Sequence, residues 1–187
     1  MLVDSHGDYP AFRYVFPTDR RPRALRPFLE ATVRDAASNG VVDAVWHQGR
    51  IAGIAVWLRP GAYPWSPRRQ VRAVPALLRT ALAAPASFRA FAALGATAAA
   101  AHPRDRHWYL VALGIRHENH GRGLGSRLLA SGLRRADADG IDAYVETSDP
   151  ANLPFYARHG FVVVEPALQL LPGGPPYATL RRTASSA

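Results

Sequence analysis

Three glycines on alternate positions, Gly121, Gly123 and Gly125, have the spacing in this chain that most directly implies chemistry. They follow an apolar run, Val111 to Ile115, and a polar link, Arg116 to His120. They lead into Ser126-Arg127-Leu128-Leu129, which reads as the first turn of an amphipathic helix. Glycine lets the backbone approach a ligand closely because no Cβ intervenes. A helix starting there turns free N–H groups and the positive end of its dipole toward the same point. The combination is an anion cradle suited to a phosphate.

Several phosphate loops compete for this pattern. A P-loop needs Gly-Lys-Ser/Thr, and the chain contains no lysine. A dinucleotide fingerprint has the strand, glycines, helix, second strand and an acidic residue, here Glu146, about 20 positions on. Its glycines should follow the strand directly at G-x-G-x-x-G spacing, whereas here Arg116 to His120 intervene and the spacing is G-x-G-x-G. A ligand-free turn would carry roughly 0.5–1 kcal/mol of backbone entropy cost per glycine with nothing gained.

The segment His120-Gly121-Arg122-Gly123-Leu124-Gly125 resembles the cofactor loop of the GNAT superfamily of acetyl-CoA-dependent N-acetyltransferases, with His120 standing where Gln or Arg is usual. A second segment lies one helix and one strand downstream. Glu146-Thr147-Ser148 followed by Asn152-Leu153-Pro154-Phe155-Tyr156 and Gly160-Phe161 is similar to the family's other cofactor-binding stretch. Within the superfamily the chain looks most like puromycin N-acetyltransferase-like enzymes. That likeness includes Asp8-Tyr9-Pro10-Ala11 and Ala55-Val56-Trp57, and it is strongest over 107–165.

The resemblance implies a set of roles. Amides from His120 through Gly121, Arg122, Gly123, Leu124, Gly125 and Ser126 would take the pyrophosphate of acetyl-CoA, with Arg122 or Arg127 adding charge. Exposed backbone of Leu113, Gly114 and Ile115 would pair with the pantetheine arm as an added strand does and polarise the thioester carbonyl. Asn152 would bind the pantetheine, with Phe155 and Arg158 also on the cofactor side. Tyr156 would return a proton to the departing thiolate, a phenol of pKa about 10 serving a thiol near 8.5. Glu146 is the candidate base, or the group that positions a water, for the incoming ammonium. His117, Glu118 and His120 are outside candidates for the same role. Tyr9 and Trp57 are expected on the acceptor side, from an aromatic set that also includes Tyr14, Tyr63, Trp65 and Trp108.

Composition narrows the remaining classes. The 187 residues read as one N-acetyltransferase domain over 1–187. No cysteine is present, which excludes disulfides, thiolate metal sites and cysteine nucleophiles. No metal cofactor is expected. The net charge is +9, yet all 23 basic residues are arginine and they are scattered, a pattern of GC-rich bacterial coding rather than of a nucleic-acid interface. Met1 to His6 has neither part of a signal peptide, and the apolar stretch 90–101 is too short to span a membrane. A cytoplasmic protein is expected, with no membrane and no nucleic acid as partner.

These groups need a scaffold. Helical spacing covers 24–38, and Asn39-Gly40 marks its end. Strands are expected over 41–47 and 50–58 around a Gln48-Gly49 turn, and again over 107–115, 142–147, 161–165 and 177–181. Helices are expected over 123–139 and 150–159, with two or three short ones over 68–101 interrupted at Pro75 and Pro85. The first 23 residues read as loop with at most a short helical turn. Alternating elements favour a mixed α/β sheet covered by helices. The resemblance implies a mostly antiparallel (α+β) sheet, splayed between the strands at 107–115 and 142–147. It also implies that the first strand is missing or truncated, which leaves 41–47 as an uncovered edge and makes a homodimer conceivable. The leading function is acetyl transfer to a small-molecule amine. The alternatives are a lysine or N-terminal protein acetyltransferase and a non-catalytic acyl-CoA-binding regulatory domain.

Overall fold

The computed structural model describes residues 1–185. Two short helices, α1 (Leu2–His6) and α2 (Pro10–Val15), precede the long helix α3 (Arg21–Asn39). The hairpin β1 (Gly40–His47) and β2 (Arg50–Leu58) follows. Its turn uses positive φ at Gln48 and Gly49, as two-residue hairpins require. Helices α4 (Pro67–Ala83) and α5 (Pro85–Ala101) lead to β3 (Trp108–Ile115). Then come α6 (Leu124–Asp139), β4 (Ala143–Thr147), α7 (Leu153–Ala157), β5 (Val162–Leu168) and β6 (Tyr177–Arg182).

The strands form one six-stranded sheet in the order β1-β2-β3-β4-β6-β5. Only β3 and β4 run parallel. Their pairing covers Trp108 to Leu110 against Ala143 to Val145 and stops there, although β3 continues to Ile115. The two strands therefore splay, and the β4-facing backbone of Leu113 to Ile115 has no strand partner. The register of β2 against β3 shifts between Val56 and Trp57, a bulge that falls opposite Val111.

The sheet separates two cores. One face packs against α1 to α5, with Leu25, Val56, Leu58, Phe16 and Phe91 at its centre. The other packs against α6 and α7 through Ala55, Trp57, Leu110, Leu129 and Leu180. Strand alternation accounts for the division, since Val56 and Leu58 point one way and Ala55 and Trp57 the other. A largely buried ion pair, Arg69 to Asp35 at 2.6 Å, and the Thr80 hydroxyl donating to the Ala24 carbonyl at 2.9 Å fasten α4 to α3.

Three expectations need correction. The amino-terminal 23 residues are mostly helical, and α1 lies against Gly114 through Leu2 and Ser5. Pro75 does not interrupt α4, whereas Pro85 starts a new helix. Pro75 sits on the solvent face, where water can satisfy the carbonyl that loses its N–H partner. The segment 150–159 begins as a 3₁₀ turn, Pro150–Asn152, before α7. Among the described residues no strand precedes β1, which forms one edge of the sheet as expected.

Candidate active site

The glycine loop has the geometry of a cradle. Gly121 and Gly123 take φ of +73° and +71°, the left-handed region that L side chains avoid. A Cβ at either position would meet nothing within 4 Å, so the backbone there faces open space. Gly123 caps the N-terminus of the 16-residue helix α6 without a side-chain hydrogen bond, leaving first-turn amides free for a ligand. Gly125 differs, because it has ordinary helical φ and a Cβ there would meet the Phe155 ring at 3.6 Å. His120 does not stand over the cradle as a base. Its Nε2–H donates to the Ile115 carbonyl at 3.0 Å and folds the link back onto β3.

From this loop a cavity of about 1170 Å³ runs along the splayed edge of β3 and under α1, α4 and α5. Leu113, Gly114, Ile115, Arg122, Ser126, Asn152, Phe155, Tyr156 and Arg158 all border it. Arg127 is exposed and outside the lining. An anion such as a pyrophosphate therefore has backbone donors from α6 and the Arg122 guanidinium within the same cleft.

Glu146 lies at the other end, on the face of β4 opposite the α6 core. Its side chain is 9% exposed. The Tyr144 hydroxyl, two residues away on the same strand face, donates to Oε1 at 3.0 Å. His102 Nδ1 lies 3.3 Å from the same oxygen, and His102 Nε2 is 2.9 Å from His107 Nε2. Tyr63, Tyr109 and Tyr144 pack their rings around His102 at centroid distances of 4.6, 4.7 and 5.1 Å. Burial and the Glu146 charge push the Tyr63 phenol up to about 12 and raise that of Tyr109 well above its ordinary value. These phenols therefore stay neutral and present the carboxylate with an apolar, hydroxyl-edged wall.

Tyr156 is buried against Phe155 and Phe161, at ring distances of 5.3 and 5.6 Å. Burial, with Tyr9 nearby, raises its phenol above the ordinary value, so it holds its proton. Asn152 Nδ2 donates to Thr147 Oγ1 at 3.2 Å. Glu146 and Tyr156 border one continuous cavity with the cradle.

The acceptor-side expectations divide. Tyr9 borders the cavity, but its hydroxyl is occupied: it accepts the Ser148 N–H at 2.6 Å and lies 3.4 Å from Thr147 Oγ1. Trp57 does not reach the cavity. It is fully buried on the opposite face, its indole against Gly132 of α6, because it alternates with Val56 and Leu58 along β2. Trp108 also lies in that second core, and Tyr14 is half exposed. Tyr63 and Trp65 border the cavity. Sequence reasoning missed His102, His107, Tyr109, Tyr144 and Tyr177. The available signal was two histidines bracketing the turn before β3 and tyrosines at same-face positions on strands.

Among the described residues no group of three His, Asp or Glu side chains is arranged to hold a metal, and no helix is long and apolar enough to cross a membrane.

Comparison with known proteins agrees with this architecture. Residues 6–161 match the model of the acetyltransferase (GNAT) family. The chain is 28% identical over 167 residues to an uncharacterised N-acetyltransferase of Schizosaccharomyces pombe, covering 86% of this chain and 68% of that protein. It is similar to a Corynebacterium glutamicum protein described as histone acetyltransferase HPA2 and related acetyltransferase. The TM-score there is 0.70 and the identity 26%, over 100% of this chain and 88% of that one. The apo form of an agmatine N-acetyltransferase shares the fold at 18% identity, with a TM-score of 0.58 over 97% of this chain and 90% of that one. With its family match spanning most of the sequence, its splayed sheet and its glycine cradle at the start of α6, the chain belongs to the GNAT family of N-acetyltransferases and is an acyltransferase.

Proposed function

We propose that this enzyme transfers the acetyl group of acetyl-CoA to a primary amine on a small molecule with an apolar or aromatic body. One observation carries the reading: a buried carboxylate, Glu146, lies in an aromatic-walled cavity continuous with the glycine cradle. A cationic amine gains from the carboxylate and from the faces of Tyr63 and Tyr109. Its apolar body gains from Phe12, Phe28, Phe88 and Leu77, which border the same space. Cover from α4 and α5 favours a compact acceptor over a long peptide. The word histone in the description of the Corynebacterium protein makes a lysine peptide the reading to test against.

Acetyl-CoA supplies the activated acetyl thioester. The residues that would hold it are suited to doing so, because the backbone at Gly121 and Gly123 faces open space at a helix N-terminus and β3 has no pairing with β4 beyond Leu110, which leaves Leu113 to Ile115 without a strand partner on that side. Glu146 removes a proton from the ammonium, so that a neutral nitrogen attacks. Backbone N–H groups of β3 stabilise negative charge on the acyl oxygen. Tyr156, kept protonated by its burial, gives a proton to the departing sulfur and is restored by the second proton that the nitrogen sheds on becoming an amide, while the proton on Glu146 leaves to solvent. Net release is one proton per turnover.

The test is thiol release from acetyl-CoA with 2-phenylethylamine, agmatine or a lysine-rich peptide as acceptor. Turnover with phenylethylamine at a kcat/KM at least tenfold above the peptide is expected. Preference for the peptide would refute the small-molecule reading, and no thermal stabilisation by acetyl-CoA would refute the donor.

A further inference from the structure

The hydrogen bonds around Glu146 all fall on one oxygen. Tyr144 and His102 both address Oε1, and among the described residues no side-chain partner addresses Oε2. We infer that His102 and His107 are positioning residues for the proton acceptor: His107 donates to His102 Nε2 and so supports the tautomer in which His102 donates to Glu146 Oε1 and leaves Oε2 for the amine. This rests on Glu146 being that acceptor.

The assignment follows from counting donors and acceptors. An ionised carboxylate only accepts, so His102 Nδ1 must carry the hydrogen. In a neutral ring Nε2 is then bare and needs a donor. Among the described residues the single donor at hydrogen-bond distance is His107 Nε2, at 2.9 Å. His107 in turn has a bare Nδ1, and that atom is buried without a hydrogen-bond partner. Asp105 Oδ2 lies 3.8 Å from it, too far for a hydrogen bond, and Arg181 holds that carboxylate at 2.5 Å. Burial and the adjacent His102 lower the pKa of His107, which keeps the ring neutral.

The remaining groups around the pair support the same order. Tyr63, Tyr109 and Tyr144 surround His102, and Tyr144 also packs on His107 at 5.0 Å. Burial raises all three phenols, so each acts as a neutral wall or donor. Tyr9 and Tyr177, also raised by burial, complete the titratable groups facing the carboxylate from α2's leading edge and β6. Donors directed at the ionised form favour it. Without His107, His102 can adopt the other tautomer and present a lone pair to the carboxylate. Proton uptake by Glu146 is then favoured, and its readiness to act as base falls.

Two measurements decide the matter. The first needs no substrate: ¹⁵N spectra of the histidine rings in wild type, His107→Leu and His107→Gln. His102 should be Nδ1-protonated in wild type and in His107→Gln, whose amide can still donate, and mixed in His107→Leu. A wild-type His102 protonated on Nε2 overturns the proposal. The second is the pH dependence of kcat/KM for acetyl-CoA with 2-phenylethylamine. His107→Leu should lower kcat about tenfold at neutral pH and move the acid limb about one unit upward, with KM for acetyl-CoA unchanged and His107→Gln near wild type. An unaltered profile in His107→Leu, or equal losses in both variants without a pH shift, overturns it. Full activity in Glu146→Gln overturns the base assignment instead, and the ring spectra, read without substrate, then decide the hydrogen-bonded order alone.

Discussion

Replacing Tyr9 by Phe separates an anchoring role from an acceptor-binding one. The Tyr9 hydroxyl accepts the Ser148 N–H at 2.6 Å, and Ala11 N–H donates back to Ser148 Oγ at 3.2 Å. These bonds tie the start of α2 to the end of β4, which carries Glu146. Phenylalanine fills the same space and keeps the packing on Phe12 and Tyr177. It strands one buried backbone N–H, a loss of about 1–3 kcal/mol. The long contact to Thr147 adds little, since Thr147 Oγ1 keeps Asn152 and Asp149 as partners. A loss of about 2 kcal/mol in a chain of this size corresponds to roughly 4–8 °C in Tm. Calorimetry should show that drop, with the KM for 2-phenylethylamine changed less than about threefold. An unchanged Tm together with a tenfold rise in that KM would refute the anchoring argument and return Tyr9 to the acceptor site.

Other perturbations address the scaffold. A Cβ at Gly132 would overlap the Trp57 indole, so Gly132→Ala should destabilise by about 1–3 kcal/mol in urea titration. A gain of about 1 kcal/mol, as helix propensity alone predicts, would show that the contact does not constrain α6. Combining it with Trp57→Phe should recover part of the loss. Burial lowers the His6 pKa from 6.5 to about 4, against an opposing hydrogen bond to the Leu2 carbonyl. Below pH 6.5 the unfolded chain takes up a proton that the folded one refuses, so stability should fall between pH 6.5 and 4 by up to about 3 kcal/mol. His6→Gln should flatten that slope in denaturation curves taken across the range, and an unchanged slope would remove His6 as its source.

Much of the glycine loop and its helix was legible in the sequence because that geometry is local. Gly121 and Gly123 specify left-handed backbone by residue type, and the apolar period after them specifies the helix whose N-terminus they face. Strand boundaries for β1, β2, β3 and β6 follow from apolar runs between turn residues. The acceptor side was not legible, because pairings between distant residues build it. Trp57 and Val56 are adjacent in sequence and belong to opposite cores, and which of them meets the cavity depends on the register of β2 against a bulged β3. His102 and His107 flank a turn that has no motif. They acquire meaning only where parallel pairing sets Tyr109 beside Tyr144 and directs Glu146 toward them.

The sequence alone therefore determined a glycine cradle at a helix start, of a shape suited to a phosphate-bearing donor, since backbone conformation there is a property of the residues themselves. Only the tertiary structure decided which oxygen of Glu146 takes the hydrogen bonds, which aromatic rings wall the cavity beside it and why Tyr9 is bound up in an anchor. Each of those depends on side chains from separate elements meeting across a sheet, and no local pattern encodes that meeting.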